Sequence, residues 1–257
     1  MKIENIYRKN LDNYFHTITD FKHSTNRLNK VLIKDIEKYK TEESIYSSLT
    51  SLVIEDWTLQ RENNSKLRFH TGINKLTGKE NYPDEITKIL SREFSFVYSQ
   101  CYEAFERFLK DCIDSKIIND IEFKKLVGFN ENYSRKDLKG GENIYKLIKK
   151  AGGKRLVNYS KNNINDFKFK ELLKIFSEIR HSVTHNKGYL DVSKIPNNQY
   201  YKNLFEFLFN KNKLEGNKIL IQFDIVLLNK VLVYLAEFGF QIYKILSEED
   251  KYQWKIE

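Results

Sequence analysis

Two histidines, an arginine and an asparagine fall within the seven residues Arg180-His181-Ser182-Val183-Thr184-His185-Asn186, with Lys187 and Gly188 directly after them. A guanidinium clamps a phosphate bidentately and an imidazole moves protons near neutral pH, so the RxxxxH pairing of Arg180 with His185 suits chemistry at a phosphodiester. Metal-independent cleavage of RNA by its own 2′-hydroxyl needs a base for that hydroxyl, an acid for the departing 5′-oxygen and a cation for the charged phosphorane. Arg180 suits the last task and His185 either of the first two. One motif supplies one well-placed histidine, so two chains meeting about a twofold axis would supply base and acid together.

Other chemistries find less support. His181 and His185 stand four apart, the spacing of zinc-binding helices, but Ser182 occupies the place of the glutamate in HExxH. The remaining histidines, His16, His23 and His70, are far away in sequence. No metal and no cofactor are therefore expected. The chain has no GxSxG, GxxxxGK[ST] or GxGxxG segment, and neither cysteine sits in a polar, activating setting.

The elements that must position these residues follow from apolar periodicity. A helix beginning at Asp166 carries the stripe Phe169, Leu172, Leu173, Phe176, Ile179 and Val183; Arg180 falls at its edge, and His181 and His185 fall near the opposite side. Gly188 is a natural stop. Upstream, Pro83-Asp84-Glu85 opens a long helix striped by Ile86, Leu90, Phe94, Val97, Cys101, Phe105, Phe108 and Cys112. Glu103, Glu106, Arg107 and Lys110 lie off that stripe, on a solvated face unless one glutamate lines a site. Residues 119–167 are mixed, with a helix at 144–149, turn signals at Gly140-Gly141 and Gly152-Gly153, and the cluster Lys149-Lys150 with Lys154-Arg155 as a candidate RNA-backbone contact or a plain basic loop. Residues 204–209 fit strand or helix. Ile219, Ile221 and Phe223 alternate behind Glu215-Gly216-Asn217 as a short hairpin strand, and Asp224 caps a final helix striped by Leu228, Val231, Leu235, Phe238, Ile242 and Ile245.

At the other end, apolar spacing over residues 3–39 predicts two helices or one bent helix. Ile45, Leu49, Leu52, Val53 and Trp57 predict a further short helix, and the polar stretch 61–81 a boundary or loop. The expected organisation is a mainly α protein: a helical N-terminal region of unassigned role over residues 1–81, and a helical bundle with a short β-hairpin over 82–257.

Composition is consistent with this. The 257 residues are 40% hydrophobic and 14% aromatic, with two prolines and ten glycines, which fits a folded, mostly helical chain. The net charge of +9 favours an anionic partner such as nucleic acid, although lysine and asparagine are spread along the chain as an A/T-rich coding sequence would also produce. Cys101 and Cys112, eleven residues apart in one predicted helix, are separated by about 16 Å at ~1.5 Å per residue and cannot bridge. The start of the chain lacks an apolar signal-peptide core, which predicts a reducing, cytoplasmic setting. Residues 225–246 are the most apolar segment but contain Asn229, Lys230, Glu237, Gln241 and Lys244, so a core helix is expected rather than a membrane span.

The segment Glu178-Ile179-Arg180-His181 through His185-Asn186-Lys187-Gly188 resembles the RxxxxH motif of the HEPN superfamily, small helical domains common among bacterial toxins, abortive-infection proteins and other antiphage effectors. The resemblance spans residues 83–246: a long first helix with Phe105-Glu106-Arg107-Phe108, the motif helix, a short hairpin and a closing helix. It implies a HEPN-like bundle that acts as a homodimeric endoribonuclease, in which Arg180 and His185 match the catalytic pair. His181 matches a usually polar position, and with Asn186 and Lys187 it is a substrate-binding candidate. RNA and a second copy are the partners it implies, with an antitoxin or a sensor as further classes. Toxins paired with nucleotidyltransferase antitoxins carry a tyrosine two residues after the histidine; Lys187 stands there, which argues against that pairing. Two other readings fit the same residues: a HEPN-like module that binds RNA or nucleotide, or dimerises, without cleaving, and an Arg180 that merely pairs with Glu178 or an acid of the long helix.

Overall fold

The computed structural model describes residues 4–56, 68–209 and 213–255. It is mainly helical, with seven α-helices and two small antiparallel sheets among the described residues. In chain order the elements are α1 (Arg8–Glu37), β1 (Ser47–Glu55), β2 (Arg68–Gly78), α2 (Tyr82–Asn119), α3 (Ile121–Leu126), α4 (Glu142–Lys161), α5 (Phe169–His185), β3 (Tyr189–Asp191), α6 (Gln199–Phe209), β4 (Lys213–Glu215), β5 (Lys218–Leu220) and α7 (Ile225–Glu249). Contacts group Met1–Asn26 with Ser91–Glu257 in one compact unit and Arg27–Leu90 in another. This grouping and the division expected at residue 81 cut the chain at different places.

The first unit is built on aromatic packing that links four helices. Tyr14 of α1 stacks on Phe108 of α2 with ring centroids 5.2 Å apart, and its hydroxyl donates to the Leu235 carbonyl of α7 at 2.8 Å. Phe105 of α2 and Phe169 of α5 both meet Phe238 of α7, at 5.2 and 5.3 Å. A second cluster joins Tyr98 of α2, Phe209 of α6 and Phe223 just before α7. Such ring pairs add to the area they bury, and large buried aromatics carry much of a core's stabilisation. The amino-terminal end of α1 belongs to this core: Tyr7 donates to Asp250, and Asn5 donates to Ser247 Oγ at 2.8 Å.

Several expected elements match the structure. Residues 8–37 form one helix, α1, rather than two. The expected long helix is α2, and the ambiguous segment 204–209 lies in helix α6. The hairpin strand is β5, paired with β4 on one side and with β3 on the other. Asp224 caps α7 by accepting from the Leu227 amide at 2.7 Å. Among the described residues, α7 is the one helix long and apolar enough to cross a membrane, and its stripe from Leu227 to Leu246 is buried in the first unit. Cys101 and Cys112 are both free and buried, and burial pushes the Cys101 thiol up to about 12.

The expectation of a wholly helical N-terminal region requires correction. Residues 47–55 are strand β1, paired antiparallel with β2 from Ser47 opposite Gly78 to Glu55 opposite Arg68. The spacing of Leu49, Leu52 and Val53 mimics a helical face, but Ser47, Ser48 and Ser51 favour helix poorly, and Thr50, Val53 and Ile54 are β-branched. Most of the stretch read as a loop is β2, which is exposed along most of its length, its apolar Phe69, Ile73 and Leu76 included. In this second unit Lys75 and Thr77 of β2 both bond Glu85 of α2, which holds the Glu85 carboxyl below its usual range. Trp57 and residues 61–67 lie outside the described residues. The helix expected from Asp166 starts at Phe169, and the helix expected at 144–149 is the first part of α4, which kinks at the non-helical Gly153 (φ +52°, ψ −137°) before continuing to Lys161.

At Gly239, α7 comes close to α1. A methyl group there would lie 2.5 Å from Cε1 of Tyr14, a ring fixed by Phe108 behind it and by its bond to Leu235. Gly239→Ala gains helix propensity of up to ~1 kcal/mol but overpacks a site that cannot yield, for about 1–3 kcal/mol. A net loss of about 1–2 kcal/mol is expected in denaturant unfolding; a stabilised variant would show that Tyr14 has room to move.

Candidate functional site

The motif helix α5 buries Phe169, Leu172, Leu173, Ile175, Phe176, Ile179, Ser182 and Val183. Its rotation about its own axis is fixed by polar contacts with α2 as well as by that stripe. The Tyr98 hydroxyl donates to the Phe176 carbonyl at 2.7 Å, Ser99 and Thr184 share a hydrogen bond at 2.9 Å, and Arg180 donates from Nη2 to Glu103. Phe176, Arg180 and Thr184 are successive members of one i, i+4 row.

Arg180 is part-buried at the margin of the stripe, and its Nε is buried without a hydrogen-bond partner among the described residues. An unmade bond at a buried donor costs about 1–3 kcal/mol, a penalty that well-packed proteins mostly avoid. Tyr102 lies beside this group. Burial pushes its hydroxyl up to about 12, its interaction with Ser177 opposes that rise, and Glu106, Arg180 and Glu103 are the nearby charges. It therefore stays a protonated donor at neutral pH.

His181 and His185 are both exposed, with ring centroids 4.9 Å apart. At ~100° per residue they sit about 40° from each other and about 100° and 140° round the helix from Arg180. The helix ends where Asn186 and Gly188 both donate to the Ser182 carbonyl, at 2.9 and 3.0 Å. Lys187 at φ +53° and Gly188 at φ +85° turn the chain into β3, and the Gly188 carbonyl accepts from Ile221 at 2.9 Å. A side chain on Gly188 would press on the Ile221 carbonyl at 3.1 Å as well as strain the backbone. Lys187 adopts the left-handed conformation without glycine's freedom, an uncommon arrangement that fixes where its backbone points.

The structure thus brings His181 and His185 together, places exposed Asn186 and Lys187 directly beyond them, and puts Arg180 on a different flank, engaged with α2. The solvated face expected on α2 is only partly solvated. Glu103 holds Arg180, Glu106 accepts from the Gly141 amide at 3.1 Å, and Arg107 is exposed. The basic cluster around residues 149–155 divides: Arg155 pairs with Glu248 and Glu249, while Lys149 faces a cleft between α4 and α5. Among the described residues, no three of His, Cys, Asp and Glu gather as a set that could hold a metal ion. Sequence reasoning did not single out Lys146, Lys170 and Lys174, which line the same cleft; the signal was their i, i+4 spacing on the polar arc of α5 and their counterparts on α4.

Comparisons of the chain with family models, curated proteins and solved structures find no match in any of the three.

The Arg180–Glu103 pair is about a third exposed on each side, so solvent limits its worth. A double-mutant cycle of Glu103→Ala and Arg180→Ala, followed by urea unfolding, is expected to return a coupling of about 0.5–1 kcal/mol. Strict additivity would mean that the pair does not fix Arg180.

Proposed function

We propose that the chain is a metal-independent endoribonuclease of the HEPN type, with its site completed across a homodimer and a cytoplasmic role as a bacterial defence or toxin effector. The observation that carries this reading is the division of the motif between two flanks of α5, with Arg180 anchored at the core margin by Glu103 and two imidazoles exposed together on a face that the core does not use. In a twofold dimer with the two α5 helices facing, each chain contributes an imidazole and a guanidinium to a shared phosphate. One His185 takes the proton of the 2′-hydroxyl as its oxygen attacks phosphorus. The other gives a proton to the leaving 5′-oxygen, and Arg180 balances the charge of the phosphorane. The products are a 2′,3′-cyclic phosphate and a free 5′-hydroxyl. His181, Asn186 and Lys187 border the imidazoles and can bond the ribose and adjacent phosphates.

A second reading draws on the same ion pair. A guanidinium already occupied by Glu103 favours a module that binds RNA or nucleotide, or dimerises, without cleaving. The two readings separate on activity.

Replacing Arg180 or His185 by alanine is expected to lower RNA cleavage by about 10²–10⁴-fold, the range for loss of a proton-transfer or charge-stabilising group. Cleavage by the unaltered chain should persist in EDTA and leave cyclic phosphate ends; activity that returns only with added Mg²⁺ or Zn²⁺ would overturn the mechanism, and full activity in both variants would remove the site. Sedimentation velocity alongside activity across a dilution series tests the shared site. Activity is expected to fall as dimer dissociates, and a fully active monomer would refute it.

A further inference from the structure

Outside the motif, the charge arrangement that stands out in the first unit is a cleft of about 310 Å³ between α4 and α5, into which Lys146 and Lys149 face from α4 and Lys170 and Lys174 from α5. Among the described residues none of these four lysines has an ion-pair partner, and Glu142 and Glu178 are the acids on the lining. Four ammonium groups against two carboxylates leave the cleft cationic. Tyr145, half-buried, contributes an aromatic surface to the lining. Lysines beside an aromatic ring with a free edge or face are a combination that binds single-stranded nucleic acid, where the charges track the phosphates and the ring offers a stacking surface to a base whatever its identity.

The cleft is in line with the histidines. At ~100° per residue, Lys170, Lys174, Ser177, Glu178, His181 and His185 all fall within an arc of about 100° on α5, the arc that its buried stripe leaves free. Along the axis Lys174 stands about 10 Å from His181 and about 16 Å from His185, at ~1.5 Å per residue. A strand that leaves the imidazoles along this face therefore reaches the lysines within a few nucleotides.

We propose that the lysine-walled cleft between α4 and α5 is the backbone subsite for single-stranded RNA, holding phosphates a few nucleotides away from the one attacked at His185. This rests on the ribonuclease reading for its substrate, but binding can be measured without cleavage. The probe is a fluorescein-labelled single-stranded RNA of mixed sequence, titrated by anisotropy against the full chain carrying His185→Ala, over a range of salt concentrations. Adding Lys170→Gln and Lys174→Gln should weaken binding by about tenfold at 0.1 M salt and lower the salt slope by about 1.4, at ~0.7 per phosphate contact on a single strand. Lys9→Gln with Lys22→Gln on α1 removes the same charge elsewhere and should change binding by less than about twofold, since that change acts only through the general field. Lys170→Arg with Lys174→Arg should restore binding, which a folding defect in the glutamine variant would not predict.

Equal losses in the cleft and control variants, or an unchanged salt slope, would overturn the cleft. The failures are distinguishable: if RNA binds through the lysines while the unaltered chain does not cut it, the nuclease reading fails and the subsite stands. If the unaltered chain cuts RNA while the glutamine variant binds as tightly as its parent, the subsite alone fails.

Discussion

The arrangement of the candidate site depends on how α5 is held in rotation. An amphipathic helix packed only by its apolar stripe can roll by tens of degrees at modest cost, because hydrophobic contact is not directional. Here the Ser99–Thr184 bond, the Arg180–Glu103 pair and the Tyr98 bond to the Phe176 carbonyl lie along one edge of that stripe. Directional bonds at three levels convert a greasy contact into a fixed orientation. A roll that brought His185 toward α2 would break them and drag Ile179 or Val183 into solvent.

That constraint explains why one short motif behaves as two devices. The arginine is within reach of α2, and α2 supplies an acid for it. The histidines are beyond that reach and, among the described residues, contact each other without a hydrogen-bond partner in the helices that cover the stripe. At its far end the helix is stopped by the Ser182 carbonyl accepting from both Asn186 and Gly188, and the following turn is tied to the sheet through Ile221. The imidazoles therefore project from a helix held along one edge and at its end. Preorganised groups of this kind need little rearrangement at the moment of reaction, which is where electrostatic stabilisation gains most. Anchoring has an opposite side: under the ribonuclease reading, Arg180 has to exchange part of its bond to Glu103 for a phosphate, and its unpaired Nε is buried and has to be uncovered before it can take part.

What the sequence made legible, and what it did not, follows from which information is local. The stripes of α2, α5 and α7 were legible because burial on one face imposes a 3.6-residue period whatever the partner, and the Asp224 cap because its bond closes within three residues. The separation of Arg180 from His185 round the helix was legible for the same reason. Strand β1 was misread because Leu49, Leu52 and Val53 fit a helical spacing, while the pairing that decides the matter runs to residues 68–78, some twenty positions away. The roles of Glu103 and Glu106 were likewise invisible, since each is assigned by a partner 77 or 35 residues distant. The cluster at residues 149–155 shows both limits at once: adjacency in sequence grouped charges that the fold sends in different directions.

The basicity of this chain matters where the fold gives it a direction. A surplus of +9 spread along 257 residues has no direction, and a uniform excess raises encounter rates without choosing a binding face. Direction arises where the fold leaves cations without acids. Arg155 is neutralised by Glu248 and Glu249, Lys116 by Asp250, and Lys75 by Glu85, so these contribute little to the outer field. Among the described residues, the four lysines of the cleft between α4 and α5 have no such ion-pair partners, and the arc of α5 that carries two of them also carries the histidines. Selective pairing elsewhere is thus what makes a diffuse charge local, and it places that charge on the face where the motif presents its two imidazoles.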